Sequence, residues 1–267
     1  LDKYRKSNLI LWNEWTHINA ASSLYRLKQF KQGENKLNPL EMEEVGEVKG
    51  KSMLHLQCHF GMDTLSWARL GAQVTGVDYS DEAIKLARSL SKELSIPAEF
   101  ICCDIYDLPQ HLDRQFDIVY TSYGVLSWLS DIPAWAKIAA RFLKPGGVFY
   151  IAEFHPFSMQ MDDNVNEPRL RYSYFNQEIE IFDVMGSYAD RNAVCAIEDE
   201  YNWPYTLGGV VTALLQAGLK LEFLHEFPFT VYEQFRYLVK KDKHYWVLPP
   251  RMPEFPLMFS IRATKPE

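Results

Sequence analysis

The sequence predicts a doubly wound α/β sheet, and three observations carry that prediction. First, residues 52–81 parse as strand, turn, helix, strand: an apolar run over 52–58, a helix over 62–70 stopped by Gly71, and a second apolar run over 72–77 ending in Asp78. Second, the alternation continues, with further apolar runs at 98–103, 116–123 and 148–154 separated by segments of helical spacing. Third, two more apolar runs, 219–229 and 257–264, bring the strands to seven. Helices between the first five strands set those strands parallel. Ligands of such sheets bind outside the carboxyl ends of the strands, where the strand order reverses.

Residues 1–47 precede the first strand. Leu9, Trp12, Thr16 and Asn19 give a weak helical stripe, and Trp12, Trp15, His17, Tyr25 and Phe30 are large rings on a segment with no core of its own. They suit either packing on the outside of the sheet helices or a lid over a ligand. The βαβ unit that follows has a turn at Cys58–Gly61 and an acid, Asp78, at the tip of its second strand. That combination suits a nucleoside, with turn backbone against the ligand and the acid accepting from ribose hydroxyls. A pyrophosphate-binding turn needs Gly-x-Gly-x-x-Gly; here only Gly61 is present, beside Gln57, His59 and Phe60, which counts against an NAD-dependent oxidoreductase.

Ser80 is a good N-cap with Asp81 and Glu82 in the first turn, and Ile84, Ala87, Leu90 and Leu94 mark the buried face of the helix it starts. The third strand ends in Asp104. Asp131 caps a helix with an apolar face of Ile132, Trp135, Ile138, Ala139 and Phe142, and Leu143-Lys-Pro-Gly-Gly stops it before strand five. Residues 155–205 break the alternation. Short strands at 171–175 and 178–184 and a turn at 186–190 read as an inserted antiparallel flap over the carboxyl edge of the sheet. Thr206 caps an amphipathic helix with Leu207, Val210, Val211, Leu214 and Leu215 on one face. Residues 230–256 form an aromatic, proline-rich excursion between the last two strands.

A chain of 267 residues with 47% hydrophobic content fits one large domain with a sizeable core. The net charge of −7 argues against a nucleic-acid partner, which usually needs a basic face. Cys58, Cys102, Cys103 and Cys195 form neither a CxxC pair nor a disulfide framework, and no run reads as a signal peptide or membrane span. The expected compartment is therefore the cytoplasm, with no membrane partner. The sequence sets no oligomeric state.

The stretch His-Leu-Gln-Cys-His-Phe-Gly-Met-Asp-Thr-Leu-Ser-Trp-Ala at 55–68 and the Leu-Lys-Pro-Gly-Gly turn at 143–147 resemble the class I S-adenosylmethionine (SAM) methyltransferase family. The closer resemblance is to a bacterial branch of it with a His-Leu-Gln-Cys-His-Phe-Gly turn, and it covers most of the chain. The family usually has acid-x-Gly-x-Gly-x-Gly after strand one. Here His55 stands at the acidic position, Gln57 and His59 at the first two glycines, and Gly61 at the last.

The resemblance implies a seven-stranded Rossmann-like sheet of order 3-2-1-4-5-7-6, with strand seven antiparallel. It implies one methyltransferase domain over 1–267, with a lid at 1–47, a SAM-binding core at 48–154, the flap at 155–205, and the rest of the sheet at 206–267 with the 230–256 excursion. SAM would be the cofactor, S-adenosylhomocysteine (SAH) the product, and a nucleophilic O, N or S of a small molecule the acceptor. Implied cofactor contacts are Trp12, His55, Gln57, Cys58, Gly61, Asp78, Tyr79, Cys103, Asp104, Ile105 and Thr121. Asp78 would bind the ribose and Asp104 the adenine amino group, although a strand-end Asp also commonly caps the next turn. His155, just after strand five, is the first candidate base and His59 the second, with Tyr123 orienting the acceptor. A structural hydrogen bond fixing the flap is an equal reading of His155. Glu153 reads either as a pocket acid or as a buried group paired with Arg169 or Arg171. Two alternatives stand beside these: a SAM- or nucleoside-binding protein without turnover, and a metal site drawing on His55, Cys58, His59 and His155.

Overall fold

The computed structural model describes residues 2–267; Leu1, the first residue of the expected lid, lies outside them. The chain opens with three helices, α1 (Lys3–Ala21), α2 (Leu27–Lys31) and α3 (Pro39–Val45). The alternating part follows as β1 (Ser52–Leu56), α4 (Met62–Arg69), β2 (Gln73–Asp78), α5 (Asp81–Glu93), β3 (Glu99–Cys102), α6 (Leu108–His111), β4 (Phe116–Ser122), α7 (Ile132–Arg141) and β5 (Leu143–Phe154). Then come β6 (Glu180–Asp183), β7 (Asp199–Asn202), α8 (Leu207–Gln216), β8 (Lys220–Phe227), β9 (Phe229–Thr230), β10 (Val239–Lys240), β11 (Trp246–Val247) and β12 (Met258–Thr264).

The main sheet has seven strands in the order β3-β2-β1-β4-β5-β12-β8. Counting only those strands along the chain, this is the expected 3-2-1-4-5-7-6. β1 runs parallel to β2 and β4, with Leu54 opposite Thr75 and Val119. β12 runs antiparallel to β5 and β8, with Ile261 opposite Ile151 and Leu224.

Contacts divide the chain into two compact units. The first comprises the chain through Leu37, Glu47–Tyr120 and Ile179–Asn202. Its helices α4 and α5 bury Phe60, Leu65, Ile84, Ala87 and Leu90 together with Phe100 of β3. Gly76 in the middle of β2 is part of this packing: a Cβ there would meet Cys58 Sγ and the Phe100 ring at 2.8 Å. Gly76→Ala is therefore expected to destabilise the protein by about 1–3 kcal/mol through overpacking, read as a lowered thermal midpoint; an unchanged midpoint would mean the turn after β1 is free to move off β2.

The second unit comprises Asn38–Gly46, Thr121–Glu178 and Trp203–Glu267. Trp135 of α7 meets Phe149 of β5 edge-on at 5.7 Å. The 230–256 excursion is more ordered than its composition suggests. β9, β11 and β10 form a small sheet, and Phe235, Tyr237, Leu238 and Leu248 bury with Met161 and Leu257 in a core of their own.

Two elements differ from the sequence reading. The weak stripe near the N-terminus is a full helix of 19 residues, started by the Asp2 side chain accepting from Arg5 N at 2.9 Å. Its buried residues are Asn8, Leu11, Trp15, Thr16 and Asn19. Three of these five are polar, so hydropathy periodicity understates the face. In the flap, 171–175 is not a strand: Arg171 N and Tyr172 N both donate to Gln160 O without a ladder continuing from them, and Phe175 is 79% exposed. The 178–184 run does form β6, paired antiparallel with β7.

Candidate functional site

The turn after β1 keeps the backbone of a glycine-rich loop with only one glycine. Gln57 (φ 55°), His59 (φ 49°) and Gly61 (φ 76°) are all left-handed. These are the three positions at which the resembled family carries glycine. Side chains at two of them cost on the order of 1 kcal/mol or more each, so the surroundings must fix the turn. They do so through β2. Cys58 N donates to Val77 O at 2.9 Å, and His59 N donates to Asp78 Oδ2 at 2.8 Å. Asp78 Oδ1 accepts from Ser80 N at 2.9 Å. Burial pushes the Asp78 carboxyl up to about 6, opposed by those backbone donors. A carboxylate has about four acceptor positions, so two amides leave Asp78 able to accept hydroxyl donors as well.

His55 is buried beneath the turn, with Nδ1 2.8 Å from Thr64 Oγ1. Burial pushes its imidazole down to about 3, so it is neutral near pH 7. Cys58 is buried and its thiol is pushed up, mainly by the same desolvation. His59 is likewise pushed down to about 3 by burial. Its Nε2 lies 3.3 Å from the Asn19 amide nitrogen, which makes Nε2 an acceptor and leaves the hydrogen on Nδ1. Nδ1 is buried without a hydrogen-bond partner.

α1 lies across this turn. Trp12 meets the His59 ring edge-on at 5.2 Å, and Tyr25 meets it at 5.7 Å. Asn13 accepts from Ser80 Oγ at 2.6 Å and donates to Asp81 Oδ1 at 2.7 Å, fixing α1 to the start of α5. The 186–190 turn joins the same group. Trp15 Nε1 donates to Gly186 O at 3.0 Å, the Asn19 amide donates to the Tyr188 hydroxyl at 3.1 Å, and Ser187 Oγ donates to Asn19 Oδ1. Tyr25 and Tyr188 hydroxyls are bonded to each other.

At the end of β3, Asp104 is already engaged. Oδ1 accepts from Tyr106 N at 2.9 Å and Oδ2 from Arg5 Nη1 at 3.1 Å. The capping role weighed for it is present, and α1 adds a cation. Cys103 N donates to Asp78 O at 3.0 Å; burial pushes the Cys103 thiol up to about 12. Ile105 is buried, and burial pushes the Tyr79 phenol well up.

The remaining predicted residues lie in the second unit. Thr121 is fully buried on β4. Tyr123 has φ 28°, its ring lies 6.3 Å from Phe154, and its hydroxyl lies 3.5 Å from Asn38 Nδ2. Glu153 is fully buried, yet neither Arg169 nor Arg171 pairs with it: these face Glu167 and Asp162. Its carboxylate accepts backbone N–H from Gly124, from Val125 at 2.7 Å, from Leu126 at 3.1 Å and from Phe154 at 2.7 Å. Burial pushes its carboxyl up while the four amides oppose. His155 has both ring nitrogens occupied. Nε2 lies 2.9 Å from Glu226, and Nδ1 accepts from Phe157 N at 3.1 Å. That arrangement matches the structural reading of His155 better than a free base. Among the described residues no group of three or more His, Cys, Asp or Glu is placed to hold a metal ion, and no helix is long and apolar enough to cross a membrane.

A mixed sheet of this order, with a turn fastened to an acid at the tip of β2, has the class I Rossmann-like methyltransferase fold. Residues 54–151 match the family model described as "Methyltransferase domain". That stretch is therefore similar to a methyltransferase domain. It is 34% identical over 119 residues to a ubiquinone biosynthesis O-methyltransferase of Xanthomonas oryzae pv. oryzae, covering 43% of this chain and 49% of that protein. A protein of the same name from Chromobacterium violaceum is 31% identical over 120 residues, covering 43% and 51%. The match thus spans about half the length of these curated relatives. Among solved structures, a SAM-dependent methyltransferase from Mesorhizobium loti superposes with TM-score 0.60 at 20% identity, covering 88% of this chain and all of that one. A geranyl diphosphate C-methyltransferase from Streptomyces coelicolor A3(2), in complex with SAH, gives 0.55 at 14% identity, covering 85% and 77%.

The residues present fit SAM. Asp78 retains acceptor capacity for ribose hydroxyls, His59 holds an orphaned N–H donor in the turn, and the Trp12 and Tyr25 rings supply π-faces of the kind that attract a sulfonium.

Sequence reasoning missed Arg5, Asn13, Asn19 and Tyr188. Nothing local marks them, because the Asn19–Tyr188 bond closes a separation of 169 residues.

Proposed function

We propose that the protein is a SAM-dependent methyltransferase acting on a nucleophilic O, N or S of a small molecule, in the cytoplasm. The observation that carries the reading is Asp78, placed at the tip of β2 and bound to the turn backbone through His59 N at 2.8 Å, inside the segment that matches the methyltransferase model. In this reading Asp78 binds the ribose. Gln57, Cys58 and Gly61 present turn backbone to the methionine part, with His55 supporting them from beneath. Tyr79, Cys103, Asp104 and Ile105 frame the adenine, and Thr121 is a further contact of the cofactor. Use of Asp104 by the adenine amino group would require sharing or releasing Arg5.

When bound, SAM supplies a methyl group activated by sulfonium. The protein's own task is to orient the acceptor, exclude water and, for a neutral nucleophile, take a proton. Tyr123 orients the acceptor in this reading. His155, engaged by Glu226 and the Phe157 amide, would act as a base only after giving up one of them. The domain reading is a single unit of function with α1 as lid, 155–205 as flap and 230–256 as part of the acceptor surround. Support for the lid is that Trp12, Asn13 and Asn19 all bond or stack onto the cofactor turn and the α5 start.

The test is calorimetric titration with SAM and SAH, followed by a screen of small hydroxyl, amine and thiol acceptors for SAH release. Saturable binding of both ligands is expected, with release for at least one acceptor class. Folded protein that binds neither ligand would end the reading; binding without release across all classes would leave a non-catalytic binder.

A further inference from the structure

The acids and histidines around the turn are not equivalent. Asp78 accepts two backbone amides, Asp104 accepts an amide and Arg5, and His55 is neutral and bonded to Thr64. Asp63, in the first turn of α4 two residues after Gly61, differs from all of them. Among the described residues no hydrogen bond or ion pair reaches its carboxylate. It is desolvated, and the one cation acting on it is Lys36, through space. The Lys36 ammonium itself donates to Leu24 O at 3.4 Å. Asp63 lies within electrostatic reach of the Cys58 thiol and the Tyr25 phenol, and the same phenol also senses Asp78. Tyr25 in turn meets the ring of His59, whose Nδ1–H is the buried orphan donor of the turn.

An anion lacking donors and a donor lacking an acceptor thus flank one turn. That pairing is complementary to an α-amino acid zwitterion, which offers an ammonium and a carboxylate a few bonds apart. The His59 N–H is left unmet in a buried place, in a turn already strained at Gln57 and His59, while Asp63 is half-buried and its carboxylate stays open to a donor. Resting on the SAM reading above, we infer that Asp63 holds the α-ammonium of the cofactor's methionine part and His59 Nδ1–H holds its carboxylate, in place of the acid that His55 replaces.

The test compares two probes by calorimetry: SAH, which carries the amino-acid head, and 5′-methylthioadenosine, which lacks it. Asp63→Asn is expected to weaken SAH about 30-fold, the loss of one charge-assisted contact, and to leave 5′-methylthioadenosine within about twofold. His59→Ala is expected to weaken SAH about tenfold with the same selectivity. Asp63→Asn should melt no lower than wild type, because it removes a desolvated charge without partners; a structural Asp63 would show the reverse. Asp63→Glu, which keeps the charge, should recover part of the preference for SAH.

Unchanged SAH affinity in Asp63→Asn, or an equal fall for both probes, would overturn the Asp63 assignment while the SAM reading stands. An unselective His59→Ala would overturn the carboxylate half. Wild-type protein that binds neither probe would overturn the SAM reading and this inference together.

Discussion

Asp78→Ala is expected to weaken SAH binding by about 100-fold or more. Hydrogen bonds to a charged acceptor contribute roughly 1.5–3 kcal/mol each, so two ribose hydroxyls losing theirs reach about 3 kcal/mol, or about two decades in Kd. The substitution also removes the acceptor for His59 N and Ser80 N, so the strained turn loses its fastening to β2. Calorimetry on the folded variant checks this; affinity within about threefold of wild type would remove Asp78 from the ribose site. A companion measurement separates binding from folding. The folded carboxyl titrates near 6 against an ordinary 3.8, so its ionised form costs stability above that upper value and the cost fades as pH drops through the window toward the lower one. The midpoint of Asp78→Asn relative to wild type should therefore rise as pH goes from about 4 to about 8. A relative midpoint that rises on acidification would contradict the assigned direction.

The second large effect is on stability and lies at Glu153. Removing its carboxylate leaves the Gly124, Val125 and Leu126 amides without their acceptor in a buried place. Glu153→Ala is expected to cost about 4 kcal/mol, a fall of roughly 10 °C in the thermal midpoint for a chain of this size. Glu153→Gln keeps one acceptor but turns an NH2 group toward amide donors, so an intermediate loss is expected. Hydrogen exchange at residues 124–126 gives a local check: those amides should exchange faster in both variants. A midpoint within about 2 °C of wild type for Glu153→Ala would mean that water or another group satisfies the loop, since each kcal/mol is worth at least that much. The same carboxylate fixes the loop that follows Tyr123, whose backbone is itself left-handed.

The alternating part of the fold was legible in the sequence for local reasons. Parallel strands buried on both faces read as apolar runs, Ser80, Asp131 and Thr206 announce helix starts, and each of these side chains does cap its helix. The acid at the tip of β2 was visible because strand ends and turns leave a local pattern. What local pattern cannot carry is a partner distant in the chain. α1 was understated because Asn8, Thr16 and Asn19 occupy its buried face. They are satisfied by groups near Tyr201, by the Trp12 carbonyl and by Ser187, Tyr188 and His59. Glu153 read either as a pocket acid or as half of an ion pair, because sequence shows charges and not orphan amides. Only the fold brings Gly124, Val125 and Leu126 to one carboxylate.

The sequence by itself determined the sheet, its turn and the acid at the tip of β2, since these follow from periodicity and strand ends. The tertiary structure alone decided that two non-glycine residues hold left-handed backbone in that turn, that Arg5 engages Asp104, and that Asp63 is left without a donor. The physical reason is that strain and hydrogen-bond satisfaction are properties of what surrounds a residue, and chain order does not record the surroundings.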